Sequence, residues 1–249
     1  MKITPAGVSG LSLFRLTPSA AVNACKIVLL ILHEVRRRLY SNTTYYILRR
    51  DLSIHVQIPP PRIGLSLREL RTDDIPGLIN IHERILTIPE LWERIRILNM
   101  IHSGIQTPYV AVTGNDEPCH LAWLIDSRSN EKIQSFFKGA VKPLSTHELL
   151  FEFVFTLEKY RGLGIQVWRS LKFAEKGAAM GAKWALGYIK KTNKTSLKNA
   201  QKNAFQPYMI RFDRWRFFHQ KTEYKLLEQD QRAPRVEVEE VGKVASAFN

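Results

Sequence analysis

The stretch TLEKYRGLGIQVW, Thr156 to Trp168, sets Gly162 and Gly164 directly after Arg161. An apolar run precedes it and a helical pattern follows, so it reads as a strand, a glycine loop and the opening of a helix. Such a junction can hold an anion. The first-turn N–H groups of a helix have no intrahelical partner, the helix dipole is positive there, and glycine lets backbone come close to a phosphate. The same residues also suit a plain tight turn. Just upstream, Glu148 and Glu152 lie four apart on one face of the apolar run HELLFEFVFT, with His147 at its start. They are proton acceptors if recessed, and solvated strand-end charges or salt-bridge partners if not.

The elements that position these residues follow from periodicity and turn chemistry. Apolar positions Val22, Ile27, Leu30, Ile31 and Val35 predict an amphipathic helix over 19–40, with arginines in its last turn. Residues 43–52 are β-rich, and IPPPRIG (58–64) is a stiff linker that cannot continue a helix or a central strand. Beyond it the order is strand (65–71), helix opened by Thr72, helix from Pro89, hairpin (108–126) and strand (147–156). The second of those helices runs through Trp92, Ile95, Leu98 and Met100. Residues 127–146 are polar and unassigned. After the glycine loop come a helix with Val167, Leu171, Ala174 and Ala178 on one face, a strand (183–189), a short helix (193–205) and a final strand (208–218). The expected organisation is an extension over 1–62 docked on the core, its strand extending the sheet edge. A main domain over 63–235 and a tail over 236–249 complete it.

The chain of 249 residues is 45% apolar, enough for a core, and carries a net charge of +14. That charge is uneven: +7 over 1–62, −3 over 63–157 and +12 over 158–235, a block that begins near the glycine loop. Such a field attracts polyanions, from nucleic acid or a membrane surface to a phosphate-rich cosubstrate. Cys25 and Cys119 match no metal or redox spacing and suit a reducing compartment. The longest apolar run, IVLLIL, is too short to span a bilayer, and no signal-peptide cleavage site follows it. A cytoplasmic protein without a transmembrane segment is expected. His82, His102 and His120 have no metal-ligand spacing, so no metal is expected.

This element order, with these residues, resembles the GNAT N-acetyltransferase superfamily. Arg161, Gly162, Leu163, Gly164, Ile165 and Gln166 follow its pyrophosphate signature, Arg/Gln-x-x-Gly-x-Gly/Ala, except at the last place. A second motif, after the family's fifth strand, is matched by Asn193, Ser196, Ala204 and Phe205, with Ala200 where the family often has Tyr. The resemblance covers about residues 65–220. It implies a mixed α/β fold, with a mostly antiparallel central sheet flanked by helices in three layers and the N-terminal extension added. It also implies acetyl-CoA or CoA as cosubstrate and a primary amine as acceptor, transferred directly in a ternary complex without a metal.

By the same resemblance, the six loop residues with Asn193 and Ser196 take the cosubstrate's phosphates, and backbone at Phe155 and Thr156 meets the pantetheine. An aliphatic amine, with a pKa of about 10, must lose a proton before it attacks a thioester. Glu152 is the first candidate base, followed by Glu148 and His147. With Ala200 at the usual Tyr place, Tyr208 or water would protonate the departing thiolate. A small amine such as an amino sugar or amino acid is the favoured acceptor, and a protein amine is the alternative. The competing class is an inactive relative or basic module that binds a polyanionic partner. Nucleic acid is not expected, because no recognition helix or RNA-binding motif appears.

Overall fold

The structure, a computed structural model, describes residues 18–81 and 86–227; the tail expected at 236–249 lies outside them. Its elements are α1 (Pro18–Leu39), β1 (Tyr40–Asp51), β2 (Leu65–Glu69), α2 (Asp74–Leu78), α3 (Ile88–His102), β3 (Tyr109–Thr113), β4 (Pro118–Ile125), α4 (Asn130–Phe137), β5 (Glu148–Thr156), α5 (Ile165–Ala179), β6 (Trp184–Lys190), α6 (Lys194–Lys202), β7 (Gln206–Arg216) and β8 (His219–Leu226). The eight strands form one sheet in the order β2-β3-β4-β5-β6-β1-β7-β8. Every neighbouring pair is antiparallel except β5 and β6.

Alternation along the strands feeds two cores. Leu121, Trp123 and Ile125 of β4 face Ile97 and Met100 of α3 and Ile133 of α4. Ala122 and Leu124 face the other way, toward Phe173 and Ala174 of α5. The result is helices on both faces of a mixed sheet, as expected.

Several elements differ from the sequence reading. β1 takes an interior place between β6 and β7, not an edge, pairing Tyr45–Asp51 with β6 and Tyr40–Arg49 with β7. Residues 127–146 contain α4. The final strand is one arm of a hairpin, because Phe217 and Phe218 turn at positive φ and β8 returns along β7. α5 buries Ile165, Arg169, Ser170, Phe173, Ala174 and Gly177, a stripe shifted from the apolar one because an arginine and a serine occupy its centre. α3 likewise buries Leu91, Arg94, Ile97 and Met100 rather than Trp92, Ile95 and Leu98. Its start is fixed by a capping box, in which Thr87 accepts from the Glu90 N–H and Glu90 accepts from the Thr87 N–H. In α1, Leu30 is buried, while Val28, Leu29, Ile31 and Leu32 are each more than half exposed.

Candidate functional site

The site begins where the sheet comes apart. β5 and β6 pair only at Glu148–Leu150 against Trp184–Leu186, and beyond that point β6 keeps β1 as its partner while β5 stays with β4. A bulge makes the same segment irregular. Leu121 faces Phe155 and Trp123 faces Glu152, so three steps on β5 match two on β4. Phe153 absorbs the extra residue at φ 50°, a strained conformation for a bulky side chain. Its ring is held at 5.8 Å from both Trp123 and Phe136 and 5.9 Å from Phe137. The bulge turns Phe155 onto the α3 face, where it is buried.

Into this gap opens a cleft of about 690 Å³, lined by Thr156, Arg161, Gly162, Gly164, Ile165 and Gln166 on one side and by Asn193 and Ser196 on the other. Gly162 and Gly164 have φ 79° and 82°, values that favour glycine. Gly164 is the N-cap of α5, and the first helical bond there runs from the Trp168 N–H to the Gly164 carbonyl. Among the described residues, the N–H groups from Gly162 to Val167 donate no hydrogen bond. Leu163 lies behind the loop, packed with Ile63 and Trp168, and its carbonyl accepts from the Arg62 N–H at 3.0 Å. The Gln166 side chain is turned to α6, where its Oε1 accepts from Asn199 Nδ2 at 2.9 Å, which leaves its N–H clear. Asn193 caps α6 by accepting from the Ser196 N–H at 3.1 Å. The Arg161 Nε donates to the Thr156 carbonyl at 3.3 Å.

A second recess of about 380 Å³ continues the cleft toward α3 and is lined by Tyr45, Arg96, Glu152, Phe153 and Tyr188. Glu93, Val154, Gln166, Asn193 and Ser196 belong to both. Glu152 is half-buried there. Desolvation pushes its carboxyl up to about 7, against the pull of the Arg96 and Arg211 charges and a backbone hydrogen bond at Phe153. Glu93 stands at the rim, its pKa also raised by desolvation, with Arg161, Arg94 and Arg96 opposing.

The other expected catalytic groups are elsewhere. Glu148 sits where β5 and β6 still pair, and its Oε2 accepts from the Ser145 N–H at 2.9 Å. His147 is exposed, and its carbonyl accepts from the Lys183 and Trp184 N–H groups. Tyr208 packs beneath the Arg49 guanidinium at 5.0 Å, its hydroxyl pushed up to about 12 by burial. None of the three lines the cleft or the recess. Tyr45, Glu93, Arg96 and Tyr188 were not anticipated. Only Glu93 and Arg96 left a trace, as charges three apart on one face of α3.

No family model and no curated protein matches the chain. Solved structures do. The glucosamine N-acetyltransferase region of a fungal multi-domain β-N-acetylglucosaminidase, GCN5-related by its description, superposes with a TM-score of 0.50 at 10% identity, covering 74% of this chain and 22% of that one. A GCN5-related N-acetyltransferase from Sphaerobacter thermophilus gives 0.43 at 10% identity, over 78% of this chain and 54% of that one. A GNAT-family acetyltransferase from Novosphingobium aromaticivorans gives 0.44 at 13%, over 69% and 63%. The chain spans little more than half the length of some of these structures, 57% for a Drosophila protein and 54% for the Sphaerobacter one. The fold is therefore that of the GCN5-related N-acetyltransferases.

Proposed function

We propose that the protein is an acyl-CoA-dependent N-acyltransferase, with acetyl-CoA as the simplest donor. The observation that carries this reading is the row of free N–H groups from Gly162 to Val167, of which all but Leu163 belong to residues lining a cleft made by two parting strands. A pyrophosphate needs several convergent donors, and this loop supplies them together with the positive end of α5. The strand edge left unpaired beyond Leu150 gives an amide-bearing chain a ladder to join. The amine nitrogen attacks the thioester carbonyl, the C–S bond breaks, and the thiolate leaves as Glu152 takes the amine's proton. Tyr208 has no role in this scheme, and water protonates the thiolate.

The acceptor is a small primary amine such as an amino sugar or amino acid, which fits a 380 Å³ recess better than a protein side chain with its backbone does. The described part of the 1–62 extension belongs to the same folding domain as the residues after it, because β1 lies inside their sheet. Among the described residues no helix is long and apolar enough to cross a membrane, and we place the protein in the cytoplasm. Millimolar CoA should raise the melting temperature, and Arg161→Ala and Gly164→Glu should abolish the rise while the proteins stay folded. An unchanged melting curve for the parent protein would sink the proposal. A screen of amines with thiol release as readout then identifies the acceptor. Salt-dependent binding of a polyanion that survives Gly164→Glu would favour the binding-module reading instead.

A further inference from the structure

Four arginines are buried among the described residues: Arg50, Arg94, Arg169 and Arg211. Three of them reach an acceptor. Arg94 Nη1 donates to the Asn80 carbonyl at 2.8 Å, and Arg211 Nη2 to the Asp213 carboxylate at 2.9 Å. Arg50 Nη2 approaches the Ile54 carbonyl at 3.5 Å. The side chain of Arg169, on α5 and 3% exposed, forms no hydrogen bond or ion pair; its Nε and Nη1 are sealed without a partner, which leaves Nη2 as the donor that can face a cavity. The rings of Phe173 and Phe151 lie 4.9 and 5.9 Å from the guanidinium carbon. Cation–π attraction offsets only part of the cost of burying a charge. Burial pulls the guanidinium's pKa down to about 9, and no carboxylate opposes it. The neighbouring titratable group, His120, is fully buried and held neutral by desolvation and by the Arg169 charge.

Arg169 borders a cavity of about 70 Å³, bounded also by Ser170, Asn203, Gly187 and Ala200. Ala200, with only a methyl group, and Gly187, with no side chain, leave this volume open. The room is that of about two water molecules, at roughly 30 Å³ each. That is far too small for a nucleotide or a pyrophosphate. The cavity meets the main cleft at Val154, Gln166, Ser196 and Asn199, so the Gln166–Asn199 hydrogen bond stands at the passage between them. Asn203, 2% exposed, donates to the Asn199 carbonyl at 3.1 Å, and its Oδ1 has no partner.

We propose that this cavity binds a compact monovalent anion against Arg169. A buried guanidinium without a partner, beside a small void, gains more from a negative charge placed there than from a neutral acceptor. The anion comes either from solution as a halide or, if the acyl-CoA reading holds, from the sulfur of the departing thiolate. In the second case Arg169 stabilises the leaving group from behind the cleft.

The test uses bromide and needs no CoA. Crystals grown with bromide should show an anomalous peak within hydrogen-bonding reach of the Arg169 guanidinium. At constant ionic strength, bromide replacing a bulky organic anion should give a saturable rise in melting temperature. Arg169→Met should lose both. Ala200→Leu fills the cavity without touching the charge and should also lose both, which covers the case in which Arg169→Met does not fold. Adding CoA then separates the sources. Bromide displaced by CoA but not by its desulfo analogue assigns the site to the thiolate, and bromide retained beside CoA assigns it to the free ion. An absent bromide peak, with an ordered water bridging Arg169 to Asn203 Oδ1 and identical bromide responses in the parent and Arg169→Met, overturns the proposal.

Discussion

At the scale of the residue, Glu152 combines a place in the second recess with a carboxyl pushed up to about 7 by desolvation. In the proposed role of base it works only when ionised, so kcat/KM should fall about tenfold per pH unit below 7. Glu152→Gln keeps the shape and removes the proton acceptor. It should cost ~10²–10⁴-fold in rate with CoA affinity unchanged, as measured by titration calorimetry. Stability should move the other way. The folded state holds the Glu152 proton up to about 7, the unfolded chain only to its ordinary 4.5, so stability falls as pH rises through that window. Glu152→Gln should therefore melt higher than the parent protein at pH 8, by at most about 3 kcal/mol, and equally at pH 4. A variant that is less stable at pH 8 would contradict this account. Glu148→Gln, which loses the charge but keeps an oxygen that can accept from the Ser145 N–H, should leave the rate within a few-fold.

The elements show what the sequence could and could not reveal. The glycine loop was legible because Gly162 and Gly164 advertise positive φ between a strand and a helix. Gln166 departs from the family signature, yet its side chain bonds Asn199 and its N–H stays free. The β5 bulge was not legible, since Phe153 looks like any strand residue and its φ of 50° goes with a register shift against β4 that only the folded sheet defines. Arg94 and Arg169 hid the true inner faces of α3 and α5, because a buried arginine reads as a surface one in any hydrophobic pattern. The second recess draws Tyr45 from one end of the chain and Tyr188 from near the other, a meeting that no local spacing encodes. Close packing of α5 on the sheet gives a direct test. A Cβ on Gly177 would come within 2.5 Å of Leu149 Cδ1 and 3.2 Å of Leu52 Cδ1. Gly177→Val should thus lose about 1–3 kcal/mol through overpacking, despite replacing a helix glycine, and urea denaturation measures the loss.

For the whole molecule, the interior position of β1 decides how the extension behaves. Removing residues 1–62 takes away the strand that joins β6 to β7, leaving two unpaired edges inside the sheet. The truncated protein should be insoluble or melt far below the full chain by calorimetry. A soluble truncation of equal stability would show that β6 and β7 can pair without it. Among the described strands, β1 is made first and is one of the last to find its neighbours. β1 ends at Asp51, whereas β6 begins at Trp184 and β7 at Gln206. At the usual pace of synthesis, about 5–20 residues per second, β1 waits for roughly seven to thirty seconds before either edge is covered. During that wait it is a bare template beside a helix whose Val28, Leu29, Ile31 and Leu32 face outward. The nascent chain should therefore depend on chaperones more than its finished fold would suggest.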